Sequence, residues 1–72
     1  MKDLEKKLGK SIEKARQQAG LTQIVLAKKC GMTQASISEI EDGKRKISLH
    51  NLNTLAEALE IKLWVLVKDA EE

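Results

Sequence analysis

Along most of the chain, apolar residues recur at spacings of three and four, and each run is closed by a glycine or opened by a hydroxyl residue. Leu4, Leu8, Ile12, Ala15 and Ala19 form a first helical stripe, with Asp3 placed as its N-cap and Gly20 as its stop. Gly9 lies inside that stripe and costs about 1 kcal/mol against alanine, which predicts fraying of the first two turns. Leu21-Thr22 opens a second helix that runs to about Lys29 and is stopped by Gly31. Met32-Thr33 opens a third, stopped by Gly43, and Ile47-Ser48 opens a fourth with Leu52, Leu55, Ala56 and Leu59 on one face.

The last three of these starts share one local grammar. A Ser or Thr occupies the cap, an apolar residue precedes it, and a second apolar residue follows five positions after the first: Leu21 with Leu26, Met32 with Ile37, Ile47 with Leu52. Such pairs are hydrophobic staples, which fix the angle at which the chain enters a helix. None of the three has Glu or Gln at the third helical position, so no capping box adds to them. Between the second and third helices stand only Cys30, Gly31 and Met32. Two short helices joined by so tight a glycine turn make a helix-turn-helix over residues 22–42, whose second helix suits the major groove of DNA. Cys30 in this turn reads as a small buried hydrophobe.

The tail follows a different rhythm. In IKLWVLV, residues 61–67, six of seven residues are apolar and three are β-branched. Positions 61, 63, 65 and 67 are apolar, with Lys62 and Lys68 on the alternate face, a period of two that predicts a strand. So apolar a strand needs covering, and pairing with its copy across a two-fold axis covers it simply. Leu63, Trp64, Val65, Leu66 and Val67 then form a dimer interface within a dimerising tail, 61–68. The alternative is a fifth helix with Leu63, Leu66 and Val67 along one side, dimerising by helix packing.

Composition narrows the picture. Seventy-two residues with no Pro, Phe or Tyr and a single Trp form one small domain, 1–72, filled by Leu, Ile, Val and Ala. The net charge of +2 conceals a division: residues 1–46 hold 11 Lys/Arg against 6 Asp/Glu, and residues 47–72 hold 2 against 5. A basic front and an acidic back fit a partner that is polyanionic on one side, although a mixed solvated surface fits the charge equally well. Cys30 and His50 are each alone, so no internal disulfide, metal cluster, cofactor site or set of acid, base and nucleophile is expected, and the chain is not an enzyme. With no signal peptide and no apolar run of about 18 residues, a cytoplasmic protein without a membrane partner is expected, nucleoid-associated through DNA.

The third helix then carries the chemistry. Ile37 and Ile40 must face inward, leaving Ala35, Ser38 and Glu39 outward and Thr33 and Gln34 at the leading edge. Gln bonds adenine N6 and N7 together, Ala meets a thymine methyl, Ser serves either role, and Glu accepts from cytosine N4. The helix starts at Thr22-Gln23 and Thr33-Gln34 offer free amides to phosphate, and Lys44-Arg45-Lys46 follows directly as a backbone anchor. Taken without that context, the same outward residues read as an ordinary solvated face.

LTQIVLAKKCGMTQASISEIEDGKRK resembles the Cro and phage-repressor type of helix-turn-helix, the Xre family, over roughly residues 8 to 60. Gln23, Ala27, Gly31, Ser36, Ile37, Ile40, Glu41 and Gly43 fall in its register. The resemblance implies phosphate contacts from Thr22, Gln23, Ser36, Lys44, Arg45 and Lys46, and base contacts from Thr33, Gln34, Ala35, Ser38 and Glu39. It also implies an Arg16–Glu41 ion pair tying the first helix to the third. Two departures stand out: Ile24-Val25 replaces an acidic or small polar pair, and Glu60 replaces the glycine that ends the fourth helix. Ile24 and Val25 either pack against the first helix or form a contact surface. With its tail as a strand, and with ARQQAGLTQ, LAKKCGMTQASIS and ALEIKLWVLV alongside, the chain looks most like the HipB-type antitoxins. The expected fold is therefore mainly α, a four-to-five-helix, lambda-repressor-like DNA-binding domain whose C-terminal strand, 61–67, pairs across a dimer. The expected function is a dimeric repressor of a palindromic double-stranded DNA operator. The alternative is an antitoxin that neutralises a toxin protein and represses its own operon. Glu39 stays open between a cytosine contact and a negative element that rejects wrong sequences.

Overall fold

The four-residue joints Gly20-Leu21-Thr22-Gln23 and Gly31-Met32-Thr33-Gln34 repeat almost letter for letter, and each turns one helix into the next. In the computed structural model, which describes residues 2–71, both glycines are left-handed, at φ +73° and +69°. Each joint closes the preceding helix with a paired backbone bond: Gly20 N to Gln17 O with Leu21 N to Arg16 O, and Gly31 N to Lys28 O with Met32 N to Ala27 O. This is the Schellman closure, and the residue after the glycine packs apolar surface back onto the helix just finished. Leu21 and Met32 therefore end one helix and, as the residue before the cap, staple the next. Thr22 and Thr33 then accept from Val25 N and Ser36 N, each at 3.1 Å.

The order among the described residues is α1 (Lys2–Gln18), α2 (Gln23–Cys30), α3 (Gln34–Glu41), α4 (Leu49–Ala58) and α5 (Leu63–Glu71). Ser48 caps α4 by accepting from Asn51 N. Asp3 is not the cap expected of it: α1 already begins at Lys2, which places Asp3 in the first turn. Ile12, Leu26, Ile37, Ile40, Leu55 and Leu66 are essentially fully buried and bring all five helices onto one core.

The C-terminal strand expected over residues 61–67 is absent; from Leu63 the segment is helical. The physical reason lies in residues beyond the apolar run. With Ala70 included, Leu63, Leu66, Val67 and Ala70 form an i, i+3, i+4, i+7 face, and Leu66 and Ala70 are buried on it. Ser11 of α1 fixes this helix by donating a buried 2.8 Å hydrogen bond to the Leu66 carbonyl. Packing against α1 thus overrides the β-leaning local composition.

Gly9 also has a different meaning from a weak point in α1. It is buried, and a Cβ there would lie 2.6 Å from the Glu41 carbonyl oxygen and also strike that of Ile40. Gly43, at φ +72°, is equally close to α1, for its Cβ would meet the Lys6 Cα at 2.8 Å. The two glycines let α1 lie directly on the end of α3.

Candidate nucleic-acid interface

The outward side of α3 is built from the core up. Ile37 and Ile40 anchor the helix with 0 % and 1 % exposure, and Glu41 is buried beside them. On the opposite side, Gln34, Ala35 and Glu39 are exposed, with Ser36 and Ser38 half-buried at the flanks. At 100° per residue Ala35 lies almost opposite Ile37 and Ile40, and Glu39 sits beside it on the outward face, about 160° from Ile37 and about 100° from Ile40.

Behind this face runs a chain of polar side chains across three helices. Arg16 Nε donates to Glu41 Oε2 at 2.7 Å and Arg16 Nη2 to Glu41 Oε1 at 3.1 Å, a forked pair with side-chain exposures of 11 % and 2 %. Arg16 Nη1 donates to the Leu21 carbonyl at 2.9 Å. The Glu41 hydrogen bond, strengthened by its charge, raises the Arg16 pKa further above its ordinary value. Glu41 Oε1 accepts again from Gln23 Nε2 at 2.9 Å, and Gln23 Oε1 accepts from Gln34 Nε2 at 3.0 Å.

The polarity of this chain is forced from one end. A carboxylate can only accept, so Gln23 must turn its amide nitrogen to Glu41 and its oxygen to Gln34. Gln34 must then donate to Gln23, which leaves it one N–H and its carbonyl oxygen free. These are the donor for adenine N7 and the acceptor for adenine N6 that a bidentate glutamine contact needs. Gln23, expected at a phosphate, has its amide largely committed to this chain; one N–H of its side chain is left for a backbone oxygen.

The basic turn after α3 divides into separate roles. Lys44 and Lys46 are exposed to solvent, whereas Arg45 folds back over α3. Arg45 Nη1 donates to Ser36 Oγ at 3.0 Å, and Nη2 lies 3.2 Å from Glu39 Oε1. Thr33 Oγ1 donates to the same Ser36 hydroxyl at 2.9 Å. Helix periodicity could not have signalled the Glu39–Arg45 pair, because Gly43 reverses the chain between them.

Other singled-out residues sit as follows. Ile24 and Val25 remain 54 % and 40 % exposed in the first turn of α2. Cys30 is half-buried against the core, and that burial raises its thiol pKa. Leu66 is buried within the chain, and Leu63 and Val67 pack partly against the core, while Trp64 is 59 % exposed with Lys68 Nζ 5.9 Å from its ring centre. No described helix is long and apolar enough to cross a membrane.

The helix-turn-helix family HTH_3 matches residues 12–63, from the middle of α1 to the first residue of α5. Among solved structures, the restriction-modification controller protein C.AhdI from Aeromonas hydrophila is 35% identical, over 92% of this chain and 98% of its own, with a TM-score of 0.85. The clp gene regulator ClgR from C. glutamicum is 25% identical, over 94% of this chain and 87% of its own, with a TM-score of 0.93. The controller protein C.Esp1396I, solved as a tetramer in complex with its natural 35 base-pair operator, is 29% identical over 96% of both chains, with a TM-score of 0.84. No curated protein matches the chain.

Proposed function

The chain belongs to the HTH_3 helix-turn-helix family, and from that premise we propose that it is a transcriptional regulator that binds double-stranded DNA sequence-specifically and represses by occupying an operator. The observation that carries this reading is the Arg16–Glu41–Gln23–Gln34 chain. It holds a glutamine at the leading edge of an exposed helix with the donor and acceptor that adenine requires. A side chain on a merely solvated face gains nothing from three supporting residues.

In this reading Thr33, Gln34, Ala35, Ser38 and Glu39 face base edges. Thr22, Ser36, Lys44, Lys46, the remaining N–H of Gln23 and the outer edge of the Arg45 guanidinium meet phosphates, aided by the amide-rich N-termini of α2 and α3. The protein acts as a homodimer on a palindromic site whose half-sites lie about 10 bp apart. Trp64 on α5 is the apolar surface offered to a second copy, flanked by the exposed edges of Leu63, Val65 and Val67. The tetramer of C.Esp1396I on its operator supports such assembly in a relative. A regulator of this kind works in the cytoplasm at the nucleoid. The antitoxin alternative drew part of its likeness from a C-terminal strand, and the segment is helical from Leu63.

Selection of duplexes from a random pool tests the proposal. A palindromic sequence should emerge, and its affinity should fall steeply with salt as bound counterions are released. Recovery of no sequence, or binding indifferent to salt, would overturn it.

A further inference from the structure

Glu39 is an exposed carboxylate on the outward face of α3, a surface otherwise suited to a polyanion, and it is not left to itself. Arg45 reaches back across Gly43 to pair with it at 3.2 Å while also donating to Ser36 Oγ at 3.0 Å, and both charged side chains are about half exposed. Two consequences follow from the chemistry. The Arg45 charge is offset within the protein, so it adds little to the attraction for arbitrary DNA. The Glu39 carboxylate is ion-paired through Oε1 with Arg45 Nη2, which leaves Oε2 for a base.

We propose that Glu39 is a specificity-determining residue that penalises DNA in general and is compensated where cytosine offers its N4 amino group, with Arg45 as its positioning residue. A carboxylate only accepts hydrogen bonds, and in the major groove guanine N7 and O6, thymine O4 and adenine N7 are acceptors too; the adenine N6 donor lies between two of these acceptors, whereas cytosine N4 has one on a single side. Facing those acceptors, Oε2 loses water and gains no donor. Facing cytosine N4, it gains a hydrogen bond. Arg45 stops the carboxylate from swinging away from a mismatched base, so the penalty is enforced. Three of the five guanidinium N–H groups remain for a flanking phosphate, which lets the pair survive in the complex. The inference rests on the DNA-reading function proposed above.

The test compares wild type with Glu39→Gln on two duplexes: the sequence selected by wild type from a random pool, and a shuffled sequence of equal composition. Fluorescence anisotropy across a salt series reads both. Glu39→Gln should bind the shuffled duplex roughly tenfold tighter, with the salt slope steeper by about one per protomer because the Arg45 charge is no longer offset by Glu39. Binding to the selected duplex should change much less, so discrimination falls roughly tenfold, and reselection should show the preference for cytosine at one position per half-site relaxed. Glu57→Gln, which removes the same charge from an exposed site on α4, should change shuffled-duplex affinity by less than about twofold. Unchanged shuffled-duplex binding in Glu39→Gln, equal weakening on both duplexes, or an equal gain from Glu57→Gln would each overturn the proposal while leaving DNA recognition standing. If wild type itself bound no duplex, the DNA-reading function would fail first. Because Glu39 and Arg45 make no core contact, circular dichroism and thermal melting should show the variant folded as wild type.

Discussion

Replacing Arg16 by Met asks how far the polar chain behind α3 is a structural necessity. The perturbation leaves a carboxylate that is 2 % exposed and retains only the single Gln23 amide as partner. An uncompensated buried charge of this kind costs about 3–5 kcal/mol, and the surviving Gln23 bond places the expected loss near ~3 kcal/mol. For a domain of this size total stability is about 4–11 kcal/mol, so most of the margin disappears. In a thermal melt, ~3 kcal/mol corresponds to a fall of roughly 12–24 °C. The opposite single change, Glu41→Met, should cost less, about 1–2 kcal/mol. The orphaned guanidinium still donates to the Leu21 carbonyl, and at 11 % exposure it can reach water. In the double variant no charge is stranded, and its stability should return to within about 1 kcal/mol of wild type. Urea unfolding of all four proteins at one fixed protomer concentration measures the cycle, since any dimerisation would otherwise shift the midpoints. A loss below about 1 kcal/mol for Arg16→Met, or additive singles, would refute the claim that Glu41 depends on Arg16. The rescued double variant should nevertheless read DNA poorly, because nothing then fixes which way Gln23 turns.

Gln34→Ala should relax base preference at one position per half-site by roughly 1–3 kcal/mol; Gln23→Ala should relax the same position by a smaller amount, and an effect at a different position would exclude the proposed chain. Gly9→Ala should destabilise by about 1–3 kcal/mol in urea unfolding, although this exchange normally stabilises a helix, because the new Cβ meets two backbone carbonyls that cannot rotate aside. A gain in stability there would show that α1 sits farther from α3 than described. Glu60→Gly should stabilise by about 0.5–1 kcal/mol, because Glu60 is held at φ +57° where three of the other helix ends place a glycine. No change in the unfolding midpoint would mean that the Glu60 side chain compensates for its backbone.

The helices legible in the sequence were those whose boundaries are written locally. Caps at Thr22, Thr33 and Ser48, their staples, and stops at Gly20, Gly31 and Gly43 are all decided within a few residues, and the chain follows them. The tail was misread because what decides it is distant. Residues 61–67 alternate as a strand would, and only Ala70 and the contact with Ser11, 55 positions away, reveal the helical face. Gly9 was misread for the same reason, since its necessity comes from the carbonyls of Ile40 and Glu41. Within the interface, periodicity along α3 was enough to separate inward from outward residues. The proximity of Arg16 to Glu41 was implied only by resemblance, and the Glu39–Arg45 and Gln23–Gln34 contacts join separate segments that no single helical period relates.

The duplicated Gly-apolar-Thr-Gln joints place the two glutamines at equivalent positions on successive helices, which is why they can clasp one another. Each joint is specified by its own four residues, and none of them lies at Ala35, Ser38 or Glu39. The angle of the reader helix is thereby insulated from three of the five positions proposed to face bases, while Thr33 and Gln34 serve both the joint and the reading. Those three positions behave like exchangeable type in a fixed frame: a lineage, or an engineer, can change the message there while the press that holds it keeps its shape.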